Sequence, residues 1–125
     1  MRPISGDAII IKDEKILLIR RMNEPFKGMW ALPGGIVEED ETIEQCIVRE
    51  AKEETGLGIK LENFVGIYSE PSRDPRKIIT VVYICGITGG NPKAGSDAED
   101  IKWFDLENLP ELAADHKKII KNLLK

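Results

Sequence analysis

Little in this sequence would serve a protein that is cross-linked, membrane-bound or wrapped around nucleic acid. There are only two cysteines, Cys46 and Cys85. Their spacing forms no metal-ligand or redox pair, and each lies in an apolar stretch, so two buried free thiols and a reducing cytoplasmic setting are expected. No apolar run approaches the roughly 18 residues that a membrane span needs, and no leader segment is seen, so neither insertion nor secretion is expected. Basic residues are not in excess. With 18 Lys and Arg against 22 Asp and Glu the net charge is −4, which argues against a nucleic-acid surface. It does not exclude small anionic substrates, because a bound metal reverses the local field. Internal repeats, linkers and low-complexity segments are lacking too. The 125 residues suffice for one core and not for two, so a single domain over 1–125 is expected. A lone histidine, His116, sits near the C-terminus, where a structural or interface role is expected rather than catalysis.

What is present alternates between strand and helix signals. Asp7 to Ile11 and Lys15 to Arg20 are short apolar runs around the polar Lys12-Asp13-Glu14, which predicts a hairpin. Met22 to Met29 reads as a loop, followed by a short strand at Trp30 to Leu32 and a sharp turn at Pro33-Gly34-Gly35. Thr42 with Gln45 three residues on is a capping-box start, and Gly56 suits the position just past a helix end, which predicts a helix over Ile43 to Thr55. Beyond it come a strand over Leu61 to Tyr68, a polar loop over Ser69 to Arg76, and a β-branched buried strand over Ile78 to Ile87. A flexible loop from Thr88 to Asp97, a short strand over Ile101 to Phe104 and a turn or short helix at Leu106 to Leu112 follow. An amphipathic helix over Ala113 to Leu124 closes the chain. Pattern alone gives a mixed sheet with two main helices.

The helix at Ile43 to Thr55 carries the main chemical clue. At about 100° per residue Ile43, Ile47 and Ala51 form the core stripe, and Gln45, Arg49 and Lys52 fall opposite, toward water. Glu50, Glu53 and Glu54 stand at i, i+3 and i+4 and converge on one face, inside or beside that stripe. A solvated acidic face would put them opposite the apolar side. Like charges so close repel, and burying a carboxylate is costly, so a compensating cation is called for. Oxygen ligands favour a hard divalent ion, Mg²⁺ or Mn²⁺.

The stretch Gly35 to Leu57 resembles the Nudix box, G-x5-E-x7-R-E-U-x-E-E-x-G-U with U apolar. Gly35, Glu41, Arg49, Glu50, Glu53, Glu54 and Gly56 match its fixed positions, and Ala51 and Leu57 stand at the apolar ones. The resemblance also covers Trp30 to Gly35 and, more loosely, nearly the whole chain. It implies an α+β fold, an α/β/α sandwich with a mixed sheet between helices. It further implies hydrolysis of a nucleoside diphosphate linked to another group, with Mg²⁺ or Mn²⁺ as cofactor. Glu50, Glu53 and Glu54 would hold the metal together with the Gly34 carbonyl, and Glu41 would be an outer or occasional ligand. Arg49, pointing away from the acids yet within reach of Glu53 at i+4, would orient it. A general base is expected in the loop before the last strand, with Glu99 first and Asp97 second; Glu53 itself is the alternative. Arg20 and Arg21 at the end of the second strand would face the substrate phosphates, or be ordinary strand-end charges.

The run Pro71-Ser72-Arg73-Asp74-Pro75-Arg76 resembles the corresponding loop of small Nudix ADP-ribose pyrophosphatases. Arg73 and Arg76 would then bind the diphosphate through forked donors; a charged turn is the plainer reading. ADP-ribose, split to AMP and ribose 5-phosphate, is therefore the expected substrate. Nucleoside triphosphates, oxidised or not, NADH and dinucleoside polyphosphates are the competing substrates, and a non-catalytic ligand-sensing module is the competing class. A small-molecule nucleotide is the expected partner, without nucleic acid or membrane; a homodimer is left open.

Overall fold

A computed structural model describes residues 1–124. The chain runs β1 (Ile4–Lys12), β2 (Lys15–Arg21), β3 (Trp30–Ala31), β4 (Gly34–Ile36), α1 (Ile43–Thr55), β5 (Leu57–Tyr68), a 3₁₀ turn at Pro71–Arg73, β6 (Ile79–Gly90), β7 (Ala98–Asp105) and α2 (His116–Leu123). The expected hairpin forms through a two-residue turn, Asp13 and Glu14. Both have positive φ, 53° and 63°, the handedness that suits strand twist. Beyond that turn β1 and β2 part. β1 pairs in parallel with β6 and antiparallel with β4, whereas β2 takes β3 and β7 as antiparallel partners. β5 closes the other edge against β6. The sheet is therefore mixed.

Strand alternation builds two cores, one per face. Ala8 and Ile10 of β1 with Cys85 of β6 pack under Ile47 and Ala51 of α1. Ile9 and Val82, one residue out of phase, pack under Ile119 and Ile120 of α2. The helix–sheet–helix sandwich is thus present, and both cysteines are buried and free. Gly6 lets α1 approach, since a Cβ there would stand 2.6 Å from Ile47 Cγ1.

The α1 boundaries agree with the sequence reading. Thr42 Oγ1 accepts from Gln45 N–H at 3.0 Å while Gln45 Oε1 accepts from Thr42 N–H at 2.9 Å, and Gly56 sits at φ 78°. Other boundaries differ: β6 runs on to Gly90 and β7 already begins at Ala98. β5 starts at Leu57, directly after Gly56, because Leu57 pairs with Gly90. The 106–112 segment stays a turn, and α2 begins at His116 instead of Ala113. Leu112 bridges to Trp30, and Ala113 N–H donates to Trp30 O at 2.8 Å, which withholds both residues from the helix. The segment after β6 is also less free than expected. Lys93 N–H donates to Thr55 O at 2.7 Å and Gly95 N–H to Glu54 O at 3.2 Å, so the loop is tied to the end of α1.

Candidate active site

α1 crosses one end of β4 and presents its carboxylates to a cleft of about 410 Å³. Gly34, Gly35, Glu50 and Glu54 line it together with Arg21, Arg76 and Asp97. Each element places its residue for a physical reason. The Gly35 backbone runs against Glu50, where a Cβ would lie 2.5 Å from the carboxyl carbon, so only glycine fits. Glu54 lies on the packed side of α1 and is 3% exposed. The only hydrogen-bond partner of its carboxylate among the described residues is the Gly34 N–H, at 2.9 Å from Oε1. Burial pushes its pKa up to about 9, against the pull of that N–H. Burial likewise raises Glu50, with Arg49 pulling the other way.

Arg49 requires a correction. It does not point away from the acids; it stands among them. Its forked guanidinium donates to Glu41 at 3.0 and 2.7 Å, to Glu50 at 2.6 Å and to Glu53 at 3.1 Å. The side chain folds back along the helix because five donors find carboxylates on two sides, at i+1, i+4 and in the preceding loop. Glu41 is held down to about pKa 2, chiefly by these bonds. Glu53 does not line the cleft; its side chain stands beside Arg49 and is 41% exposed.

Among the described residues no three acid, histidine or cysteine side chains already stand in a cation's coordination shell. Arg49 supplies the counter-charge instead. The residues nevertheless fit a hard divalent ion. All donors are oxygens, Glu50 and Glu54 flank a backbone stripped of side chains, and Glu54 is buried with one neutral donor and no ion pair. Releasing Glu50 and Glu53 from Arg49 would open the face, and Glu41 and Glu38 would keep that arginine paired.

The remaining candidates separate by strand phase and loop anchoring. Arg21 reaches the cleft, with its Nε donating to Pro25 O at 2.8 Å, and burial and the neighbouring Arg76 lower its pKa. Arg20, one residue out of phase, is turned to the other face, 5.8 Å over Trp30 and 3.3 Å from Glu99. Glu99 is thereby corrected as well. It is a β7 residue whose side chain pairs with Arg20 away from the cleft. Asp97 precedes the strand, and its carbonyl accepts from Met22 N–H at 3.1 Å, which holds it at the cleft.

The two loop arginines also part. Arg76 is half-exposed at the cleft and leans on Asp74, with Nη2 to Oδ2 at 2.9 Å. Arg73 is 5% exposed and fully engaged. It donates to both carboxylate oxygens of Asp115 at 3.0 and 2.8 Å, to Ile78 O at 3.0 Å and to Thr80 Oγ1 at 2.9 Å. This corrects Arg73 from a diphosphate ligand to a clamp between β6 and α2. Arg73→Ala should therefore cost stability, about 3 kcal/mol, the lower end for breaking a buried pair because Asp115 is partly wet. Urea melts measure it; an unchanged midpoint would remove the clamp.

Sequence reasoning missed Asp7. Its carboxylate is 6% exposed at the start of β1, lies 3.4 Å from His116 Nε2 and is pushed up to about pKa 7 by burial. An acid opening the run Asp7-Ala8-Ile9-Ile10 was the available signal. His116 is itself buried, at pKa about 4, hence neutral.

Clustered carboxylates on the first long helix, sharing a cleft with arginines, suit a phosphorylated substrate. A model of the NUDIX domain matches residues 1–123, and the chain belongs to the Nudix family. It is 55% identical to an ADP-ribose pyrophosphatase of Methanocaldococcus jannaschii over 98% of this chain and 73% of that one. Among solved structures, it resembles the NUDIX domain of Shewanella oneidensis NrtR complexed with ADP ribose. There the identity is 30% and the TM-score 0.82, over 100% of this chain and 90% of that chain. It also resembles a bifunctional NMN adenylyltransferase/ADP ribose pyrophosphatase from Francisella tularensis, complexed with AMP and a Mn ion. The identity is 32% and the TM-score 0.85, over 99% of this chain and 41% of that longer one. Nudix hydrolases use divalent metals.

Proposed function

We propose that this Nudix hydrolase cleaves ADP-ribose to AMP and ribose 5-phosphate with Mg²⁺ or Mn²⁺. The observation that carries the reading is the cleft itself, where glutamates and bare glycine backbone share the lining with Arg21 and Arg76. The 55% identity to an ADP-ribose pyrophosphatase supports the substrate. Glu50, Glu53 and Glu54, with the Gly34 carbonyl, are the metal ligands. A divalent ion bound there supplies positive charge to the diphosphate and acidifies water. Arg21 and Arg76 grip the phosphate oxygens with charge-assisted hydrogen bonds. Asp97 takes a proton from water as the water oxygen bonds to one phosphorus and that phosphorus loses its bond to the bridging oxygen, which leaves on the other phosphate. Arg49 holds Glu41 and steadies the box.

The test is a release assay with Mg²⁺ over ADP-ribose, NADH, dinucleoside polyphosphates and nucleoside triphosphates, each product detected by a suited coupling enzyme. ADP-ribose should turn over fastest; a preferred triphosphate would move the chain to another Nudix activity, and binding without turnover would make it a sensor. Within that reading Arg76→Ala and Arg21→Ala should each lower kcat/KM for ADP-ribose by about 1–3 kcal/mol, the scale of a charge-assisted hydrogen bond. Unchanged kcat/KM in both variants would remove the arginines from substrate binding.

A further inference from the structure

The Leu32-Pro33-Gly34 turn is held at three atoms by three different elements. Pro33 O accepts from Ala8 N–H of β1 at 2.8 Å. Gly34 N–H donates to Glu54 Oε1 of α1 at 2.9 Å. Leu32 N–H donates to Nδ1 of His116, the first residue of α2, at 3.0 Å. The third bond comes from the opposite face of the sheet and uses a side chain where a strand would use a carbonyl.

The histidine is itself fixed in place. Because Nδ1 accepts, the neutral ring carries its proton on Nε2, and that nitrogen lies 3.4 Å from Asp7 Oδ2. Asp7 is the β1 partner of Gly34, so close that a Cβ on Gly34 would collide with its Oδ1. On the other side, Asp115 is clamped by Arg73, which stops α2 from sliding along its axis. A rigid bracket therefore runs from the Arg73 loop through α2 to the turn that faces Glu54.

We propose that His116 is a positioning residue of the active site. By accepting the Leu32 N–H it sets where Gly34 stands and, through the Gly34 N–H, where the Glu54 carboxylate points. This rests on the reading of Glu54 and the Gly34 carbonyl as metal ligands. Partners that orient metal ligands typically change metal affinity about 10–100-fold when lost.

His116→Asn and His116→Gln test it, since one keeps the acceptor without the ring's bulk and the other keeps more of the bulk without the acceptor. Asparagine puts an amide oxygen where Nδ1 stands, and glutamine carries its amide one carbon further and offers no acceptor there. The measurements are amide exchange at Leu32 and Gly34 in metal-free protein, the Mn²⁺ dissociation constant, and kcat and KM for ADP-ribose. His116→Gln should speed Leu32 exchange, weaken Mn²⁺ about tenfold and lower kcat about tenfold, with KM changed by less than about twofold. His116→Asn should stay within about threefold of wild type throughout. A glutamine variant equal to wild type overturns the proposal. So does an asparagine variant that falls as far as glutamine, since the ring's bulk and not its acceptor would then matter. A wild type that neither binds Mn²⁺ nor hydrolyses ADP-ribose sinks the functional reading instead, and Leu32 exchange still reports whether the histidine pins the turn.

Discussion

Chelation with EDTA should reduce hydrolysis at least about 1000-fold, and added Mg²⁺ or Mn²⁺ should restore it. The magnitude follows from charge. Glu50, Glu53 and Glu54 crowd one side of α1, the diphosphate brings further negative charge, and Arg49 is already committed to four carboxylates. Arg21 and Arg76 contribute two positive charges to the cleft, too few to neutralise both the cluster and an incoming diphosphate. Divalent cations remove that deficit and make proton loss from water easier, each effect being several kcal/mol at a charged transition state. Cation binding should also raise the melting temperature in proportion to ln(1 + [M]/Kd), a readout independent of turnover. Full hydrolysis in rigorously metal-free buffer would overturn the assignment.

The parts of this design that were legible in the sequence are those set by local rules. The capping box at Thr42 and Gln45 and the left-handed Gly56 fix α1 to the residue. The i, i+3, i+4 spacing then puts three carboxylates on one face whatever the rest of the fold does. The cation-seeking character of Glu54 could be argued from the helix projection alone, and the structure buries it. What was not legible depends on which loop reaches which residue. Arg73 and Arg76 are three residues apart in one run, yet one is buried against Asp115 from α2 and the other faces the cleft. No periodicity distinguishes them, because the partner is 42 residues away in the chain. Arg20 and Arg21 illustrate the same limit in a strand. Alternation says that they face opposite sides, but only the pairing of β2 with β7 says which side holds the cleft. Arg49 was misjudged because a helical wheel shows where Cβ points and not where a long guanidinium folds back.

Glu53→Gln and Glu54→Gln should each lower kcat about 100-fold or more while differing in their effect on stability. Both changes keep shape and remove one carboxylate from the proposed metal face, so the loss should appear in kcat and in Mn²⁺ affinity together. Glu53 is exposed with Arg49 beside it, so its replacement should leave the metal-free melting temperature nearly unchanged. Glu54 is buried, and burial raises its pKa from the ordinary 4.5 to about 9. Between those values the folded protein binds more protons than the unfolded chain, so this group favours folding most at low pH and progressively less as pH rises. At pH 7 the metal-free wild type should therefore lose stability on this account. Glutamine, which can still accept from the Gly34 N–H, has no charge to desolvate. Metal-free Glu54→Gln should melt higher than metal-free wild type, by a margin that grows from pH 5 to pH 8, and should gain less on adding Mn²⁺. Melting curves across that pH range, with and without Mn²⁺, measure both signs at once. A Glu54→Gln protein that melts lower without metal would show its carboxylate stabilising the fold unaided. Near-wild-type turnover in both variants would take the metal site away from this face of α1.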